Sequence, residues 1–426
     1  MTSKNINITI FSPLKVYLLG ILVYLIFFIL SPSSPNYWGN INGWAFLLIN
    51  LITIYIGIII GSSNASLKNQ IISINPNPSD LKRNIYLMLS MSLIGFFATV
   101  LDSLYISGIS LNSNEILTNR LLAEENEVSA LSILAAIFTP LTFVTFFYSL
   151  INRRIYNNSN IIFLLSILMI FFILNLSIFL GSRSIIFVYL MLFSISILTF
   201  LKNNFSYKII FSVLITIISL TMILNGAFNE IRSEALNMDA FSIIEITATS
   251  YFFDIDRNLI NTIYSYRYEN NLLYYFFIGF LNFTQYYTHG LFELLYLIEN
   301  FQEQSASGLI NFGIIIKFFN AIGLDINTSF EMVRVGTFST LFGPNYYDFG
   351  FLGGTIYVFI LSLVYGKIYK NINQYRSISL IPLYMFFSII FFFPLVISFF
   401  VSAQGLYFIS SFIMAHLIFN LKVKLS

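Results

Sequence analysis

The sequence predicts an all-α, multi-spanning integral membrane protein with about ten (ten to twelve) transmembrane helices, and two observations carry this prediction. Of the 426 residues, 57% are hydrophobic and only 9% are charged, whereas a soluble domain carries roughly 25% charged residues. Apolar runs of about 20 residues recur, which is the length that one helix needs to cross ~30 Å of hydrocarbon. No soluble core could hide so much apolar surface, so lipid must cover the remainder.

The apolar runs divide the chain into three parts. Seven runs form an N-terminal transmembrane bundle over residues 1–227, a long segment follows over 228–349, and three more runs form a C-terminal group over 350–426. The expected helices lie near residues 12–30, 43–61, 84–108, 130–151, 160–180, 184–201, 209–227, 350–368, 378–400 and 406–421.

The distribution of charge orients this bundle. If both termini are cytoplasmic, every short inner loop carries at least two basic residues, as the positive-inside rule expects, and Asp80 is the only acidic residue on that side. The basic residues of the outer side are arginines except for Lys317. A planar guanidinium binds phosphate oxygens bidentately, so this excess of arginine indicates a phosphate ligand, with chance in a small sample as the alternative.

The outer segment 228–349 is too long to be a simple connection. It is rich in aromatic residues and net acidic, and we expect it to be a folded functional unit. Within it, Leu272–Phe283 and Leu291–Ile298 are apolar but too short to cross a membrane, so we expect two interfacial or re-entrant helices. The alternative is one membrane-inserted hairpin over 272–298. The two halves of the chain show no internal duplication, which argues against a two-half transporter.

Several outer arginines are candidate anion-binding residues. Arg183 lies between two apolar runs with no room for a loop, and a guanidinium so close to hydrocarbon usually has an anionic partner. Arg232 follows the seventh run, at the height of the lipid headgroups. The alternatives are snorkelling of Arg183 to lipid phosphates and pairing of Arg232 with a flanking glutamate. For Arg257 and Arg267, which have carboxylates nearby in sequence, a structural salt bridge is equally open.

The outer side also carries candidate groups for proton transfer. His289 is its only histidine, and with an ordinary pKa near 6.5 it could accept a proton from a hydroxyl or simply form a structural hydrogen bond. Arg334 begins a stretch rich in small residues that leads into the eighth helix through Asp348, a candidate base at the membrane surface. The same stretch could serve only for close helix packing.

The absence of some residue types excludes several kinds of site. The chain has no cysteine and only two histidines. Thiol nucleophiles, iron–sulfur clusters and a histidine-rich zinc site are therefore excluded. We expect no metal, no cofactor and no nucleic-acid partner.

The chain resembles the Wzy-type O-antigen polymerases, which are oligosaccharide repeat-unit polymerases. The likeness rests on the Gly-Ser-Arg motif ending at Arg183, on the stretch from Tyr287 to Glu293, and on Thr337 through Gly350 with Gly353. The helix layout, with a large segment in the C-terminal half, is also similar. The related O-antigen ligases carry a histidine shortly before the late glycine pair. The stretch from Thr337 to Thr340 has none, which favours a polymerase.

The resemblance implies a metal-independent membrane glycosyltransferase with a GT-C-like architecture in the bacterial inner membrane. Its donor and acceptor would be undecaprenyl-diphosphate-linked oligosaccharides at the periplasmic face, and a co-polymerase would set the chain length. The growing glycan would be transferred from its lipid diphosphate to the non-reducing end of a new unit. The alternatives are a lipid-linked oligosaccharide flippase, an O-antigen ligase and another membrane glycan enzyme.

The candidate residues take two roles under this resemblance. Outer arginines would hold the diphosphate leaving group, and a histidine or carboxylate would orient or deprotonate the acceptor hydroxyl. The diphosphate candidates are Arg183, Arg232, Arg257, Arg267 and Arg334, and the catalytic candidates are His289, Asp348 and Glu293.

Overall fold

A computed structural model describes most of the chain, and the residues that it describes are almost all helical. The seventh expected helix, near 209–227, lies largely outside them. The described residues are 6–63, 65, 70–74, 77–112, 115, 118–119, 122, 129–156, 160–180, 183–200, 219, 222–223, 225–227, 229–230, 233, 238–301, 305–321, 323–324, 326, 330, 332–334, 340–401 and 404–420.

Seven helices form in the described part of the first 200 residues. A π-helical turn, Asp102–Ile106, extends the third of them, and Pro140 separates the fourth from the fifth. The helices are α1 (Pro13–Leu30), α2 (Ile41–Gly61), α3 (Pro78–Leu101), α4 (Ala130–Phe138), α5 (Leu141–Tyr156), α6 (Asn160–Phe179) and α7 (Arg183–Phe200).

Beyond residue 238 the described part contains seven more α-helices and a short 3₁₀ helix (Ile378–Leu380), and two small sheets are also present. The helices are α8 (Ala240–Ser250), α9 (Arg257–Glu269), α10 (Asn271–Asn300), α11 (Leu309–Ala321), α12 (Phe342–Tyr375), α13 (Ile381–Phe392) and α14 (Gln404–Asn420). Antiparallel pairing joins strands β1 (Ile6–Ile10) and β3 (Gln70–Ile74), and likewise β2 (Ser33–Pro35) and β4 (Phe253–Ile255).

Among the described residues, six helical spans are long and apolar enough to cross a membrane, and they indicate an all-α membrane protein. Many of their leucine, isoleucine and phenylalanine side chains are exposed on the outside of the bundle, where lipid would cover them. The helices expected near 184–201, 378–400 and 406–421 form as α7, α13 and α14, which are not among the six. The Ser79–Ile106 span combines α3 with the π-helical turn, and the Ala130–Tyr156 span combines α4 with α5. The six spans are Pro13–Leu30, Ile41–Gly61, Ser79–Ile106, Ala130–Tyr156, Asn160–Phe179 and Phe342–Tyr375.

Two expected boundaries were wrong for local reasons. The eighth expected helix begins at Phe342 rather than at 350, because Pro344 lies in its first turn, where a missing N–H costs nothing. Gly350 (φ 66°, ψ −165°) then interrupts α12, in a conformation that is open only to glycine. The ninth expected helix ends at Phe392 instead of 400, because Pro394 disfavours helical geometry in the residue before it.

Basic side chains mark one end of the bundle. They lie near the start of α1 and α3, the end of α5 and the last turns of α12, and we call this the basic end. The Arg154 guanidinium there donates to the Phe200 carbonyl at 2.9 Å and joins the ends of α5 and α7. The residues that define the basic end are Lys15, Lys82, Arg83, Arg153, Arg154, Lys367, Lys370 and Arg376.

Small residues allow α2 and α12 to approach each other closely. A Cβ atom built at Gly57 would lie 1.9 Å from the Ser362 hydroxyl oxygen, and one built at Gly61 would lie 2.2 Å from the Leu363 carbonyl oxygen. This is the small-xxx-small packing that membrane helices use to approach closely.

The opposite end of the bundle carries α10, and we call it the α10 end. Tyr24 near the end of α1 donates from its hydroxyl to the Thr288 carbonyl at 3.1 Å. Leu295 packs against Gly39 and Gly43 at the start of α2. Strand β2, between these helices, pairs with β4 and ties the long segment to the same end.

The prediction of two short helices within 272–298 was wrong, and so was the hairpin alternative. Asn271–Asn300 is one continuous helix of 30 residues. In the sequence, polar residues separate the two apolar runs. Thr284, Gln285, Thr288 and His289 are instead fully buried on helix positions that face the protein, so they are part of the packing and do not interrupt the helix.

Candidate functional site

Helix α10 presents a buried polar stripe at the α10 end. Gln285, His289 and Glu293 follow one another at four-residue spacing, which places them on one face of the helix. They are 0%, 0% and 3% exposed, and Gln285 donates to the Ser33 hydroxyl at 3.1 Å. Buried polar groups are costly unless they are bonded, so these three side chains need polar partners within the protein.

His289 has a defined tautomer. Its Nδ1 lies 2.9 Å from the Tyr286 carbonyl oxygen, and because a carbonyl can only accept, Nδ1 carries the proton and the ring lone pair is on Nε2. The imidazole also stacks on the Tyr251 ring, with the centroids 4.1 Å apart and the planes at 20°. Burial lowers the pKa of His289 to about 4. The ring is therefore neutral near pH 7, with a nitrogen that can accept a proton.

Glu293 forms an ion pair with Arg334, from the far end of the long segment. The Arg334 Nη1 lies 3.2 Å from the Glu293 Oε1, and the side chains are 24% and 3% exposed. The guanidinium lies 4.7 Å over the Phe252 ring and 5.7 Å over the Tyr296 ring, and it donates to the backbone carbonyl of Ser250. A guanidinium has five N–H donors, so these contacts leave donors for a further anion.

The chain around Arg334 is held by an aromatic contact. The backbone N–H of Val333 donates to the Tyr347 hydroxyl at 3.1 Å. The Tyr347 ring meets Phe301 at 4.9 Å and Phe330 at 5.5 Å. The short first part of α12 therefore fixes the position from which Arg334 reaches Glu293.

Asp348 caps helix α11. Its carboxylate accepts from the backbone N–H groups of Ile310 and Asn311 at 2.9 and 2.8 Å, and from the Asn311 side chain at 2.7 Å. The side chain is fully buried. A carboxylate at a helix N-terminus satisfies N–H groups that have no partner within the helix. The contacts give Asp348 a structural task, and its role as a base stays a prediction.

Arg267 belongs to a separate charge cluster. Its guanidinium pairs with Glu230 at 2.5 Å and with Asp239 at 3.5 Å, and the Tyr274 hydroxyl donates to Glu230 at 3.0 Å. This is the salt bridge that the sequence left open as an alternative to anion binding. Arg257 begins α9 with an exposed side chain, and it has no ion pair among the described residues.

The structure describes the backbone of Arg183 but not its side chain. Arg183 is the first residue of α7, which places its backbone at the α10 end. One turn later, the Phe187 ring meets Phe393 at 5.0 Å, and Phe393 meets Tyr287 of α10 at 6.1 Å. The start of α7 is thus one aromatic layer away from α10. The side chain of Arg183 and all of Arg232 lie outside the described residues.

The rings around the cluster were not predicted from the sequence. Tyr37, Phe252 and Tyr296 pack together with centroid distances of 4.9 to 5.7 Å, and the hydroxyl of Tyr37 bonds to the carboxylate of Glu299. Phe252 has a positive φ of 65°, which costs an L-residue roughly 1–2 kcal/mol. Strain of this kind concentrates at functional sites, but a sequence carries no sign of it.

The α10 end therefore gathers a neutral imidazole, a carboxylate and a guanidinium beside a group of aromatic rings. Such a cluster can accept a proton, hold an anion and stack against the apolar face of a ring-shaped ligand. Comparison of the chain with family models, with curated proteins and with solved structures finds no match.

Proposed function

We propose that the chain is a bacterial inner-membrane glycosyltransferase that polymerises polysaccharide units linked to a lipid diphosphate. The α10 end would face the periplasm. The observation that carries the proposal is the pairing of Arg334 with Glu293, one helical turn from His289 and beside a group of aromatic rings.

The position of this cluster supports a substrate that is anchored in lipid. The helices around it are of membrane-spanning length. The basic end is the opposite end of the bundle, and basic residues favour the cytoplasmic side. With the basic end on the cytoplasmic side, a cluster at the other end would be near the diphosphate of an outer-leaflet lipid, which supports the proposal.

The proposed step is a displacement at the anomeric carbon of the growing glycan. The non-reducing-end hydroxyl of a second lipid-linked unit attacks this carbon, and the new glycosidic bond forms as the bond to the diphosphate oxygen breaks. The hydroxyl proton passes to the Nε2 of His289 or to a carboxylate, and the lipid diphosphate leaves as an anion. Atoms and charge balance without a further reactant.

Arg334 and Arg183 would stabilise the leaving group. Negative charge grows on the diphosphate oxygen as the bond breaks, and fixed donors aimed at such an oxygen lower the barrier. Arginine stays protonated under all physiological conditions. The rings of Phe252 and Tyr296 would stack on sugar rings beside the guanidinium. Holding two tethered substrates in line would contribute a large further part of the rate.

The proposal is tested in a strain of the source organism that lacks the chain. The strain is complemented with wild type, with Arg334→Ala or with Arg183→Ala, and surface lipopolysaccharide is separated on a gel. We expect a single repeat unit on the lipid core in the deletion strain, a full ladder with wild type, and no ladder with either variant.

Arg83→Ala is the matched control, because Arg83 lies at the basic end and has no part in the proposed reaction. Its ladder should equal that of wild type. Loss of every repeat unit from the deletion strain, including the first, would contradict the proposal and indicate a flippase or a ligase. A normal ladder from both arginine variants would also contradict it.

A further inference from the structure

The turn after α8 touches both functional groups of the cluster. Tyr251 stacks its ring on His289 at 4.1 Å, and Phe252 places its ring 4.7 Å beneath the guanidinium of Arg334. The residue before them, Ser250, accepts from Arg334 through its backbone carbonyl. Three consecutive residues therefore contact a histidine from α10 and an arginine from a distant loop.

The turn is held rigidly from its other side. The Phe252 carbonyl accepts from the backbone N–H of Asn36 at 2.9 Å, and Phe253 pairs with Pro35 in the β2–β4 ladder. The Tyr37 ring packs on Phe252 at 4.9 Å. These contacts fix the backbone of the turn to the connection between α1 and α2.

The strained backbone of Phe252 indicates that its ring does more than fill space in the packing. Helix α8 ends at Ser250, and two residues later the chain adopts a positive φ of 65°, a position where helices usually place glycine. Glycine would end the helix without strain, but it would give Arg334 no aromatic face. The residue that is present accepts the strain and supplies the ring.

We propose that Tyr251 and Phe252 are positioning residues, which hold the imidazole of His289 and the guanidinium of Arg334 in one fixed arrangement. Tyr251 acts through the ring stack, which holds the imidazole where its Nδ1 donates to the backbone carbonyl of Tyr286, and its ring also meets the Tyr286 ring edge-on at 5.5 Å. It thereby fixes the Nδ1-protonated tautomer. The positioning role itself does not depend on the proposed function. Only its expected effect, slower glycan transfer when the arrangement is lost, rests on that function.

The test uses the small number of histidines. The chain has only two, so protein labelled with ¹⁵N-histidine gives two imidazoles, and His416→Gln identifies the signals of His289. In wild type at pH 7 we expect one protonated and one unprotonated nitrogen in the His289 ring, with well separated ¹⁵N resonances. Tyr251→Leu should bring these resonances towards each other, because the ring then exchanges between tautomers. Tyr251→Phe keeps the stacked ring and should largely restore the separation.

Tyr268→Leu is the control, since Tyr268 lies on α9 with its side chain 89% exposed. The resonances of His289 should not change in it. A melting curve in detergent for each variant shows that the fold is intact. Separated resonances in Tyr251→Leu, identical with those of wild type, would overturn the inference whatever reaction the protein catalyses.

Transfer kinetics separate this inference from the proposed function. For Tyr251→Leu and Phe252→Leu we expect kcat to fall by roughly 10- to 100-fold, because small displacements of reacting groups are costly, with KM for the lipid-linked unit less affected in Tyr251→Leu than in Phe252→Leu. If wild type joins no units but the resonances respond as expected, the proposed function fails and the positioning role stands. Unchanged kcat in both variants of an active enzyme would refute the positioning role.

Discussion

The ion pair between Glu293 and Arg334 allows a quantitative prediction. Two unit charges about 4 Å apart interact by about 4 kcal/mol at an effective dielectric constant of about 20. Glu293 is almost fully buried and the Arg334 side chain is a quarter exposed, and removal of one partner of a buried pair leaves a charge without compensation, at a cost of about 3–5 kcal/mol. Because Arg334 keeps some contact with solvent, we expect a loss near the lower end, about 3 kcal/mol, for Glu293→Gln.

The loss is measured as a change in Tm by thermal unfolding in detergent. A chain of 426 residues has an unfolding entropy on the order of 0.9 kcal/mol per degree, so 3 kcal/mol corresponds to a decrease of about 3 °C. Arg334→Gln leaves the more deeply buried carboxylate unpaired, so its decrease should be larger, up to about 6 °C. The double variant should unfold at nearly the same temperature as Glu293→Gln, because the second substitution removes the charge that the first left unpaired.

A second ion pair provides the control. Arg83 and Asp80 lie 4.0 Å apart with side chains 31% and 58% exposed, and an exposed pair of this kind contributes at most about 1 kcal/mol. Arg83→Gln should therefore lower Tm by no more than about 1 °C. If the decreases for Glu293→Gln and Arg334→Gln simply add in the double variant, the two side chains do not interact and the arrangement of the site is wrong.

Three further predictions follow from other contacts. Gly61→Ala should destabilise the protein by about 1–3 kcal/mol, because its Cβ would lie 2.2 Å from a carbonyl oxygen of α12. Gly313→Ala, with nothing within 4 Å of its Cβ, should not destabilise it. Equal Tm values for the two variants would refute the close packing of α2 on α12. Asp348→Ala should destabilise the protein by about 1–3 kcal/mol, because α11 loses its cap and Asn311 is left unsatisfied. Hydrogen exchange in α11 should increase, and unchanged exchange would contradict the capping role. Burial lowers the pKa of His289 to about 4, so the unfolded chain takes up a proton between pH 6.5 and 4 while the folded chain does not. The free energy of unfolding should therefore fall by about 3 kcal/mol as pH decreases through this window. A fall of the same size in His289→Gln would exclude this histidine as its cause.

The apolar runs predicted the membrane-spanning helices well because hydropathy is a local property. Helices α1, α2 and α6 begin and end within about two residues of the expected limits. Errors occurred where a single residue changed the local geometry, as at Pro344 and at Pro394. They also occurred in α10, where polar residues that face the protein had the appearance of a break between two short helices.

The candidate site was predicted in its residues and not in its arrangement. His289, Glu293 and Arg334 were all among the expected residues, but nothing in the sequence pairs Glu293 with Arg334, because that contact depends on how the loop before α12 folds back on α10. The stack of Tyr251 on His289 depends on the same tertiary packing. The sequence also leaves open whether Arg267 binds an anion or forms a salt bridge, and only its distances to Glu230 and Asp239 show the salt bridge.

Reaction of the purified protein tests glycan polymerisation most directly. The protein in vesicles is incubated with the lipid-diphosphate-linked unit extracted from the deletion strain, and the products are weighed by mass spectrometry. We expect dimers and longer glycans on one lipid, with one undecaprenyl diphosphate released for each bond formed, and no such products from Arg334→Ala. A unit that stays unjoined with folded wild-type protein, or that only crosses the bilayer, would contradict the proposed polymerisation.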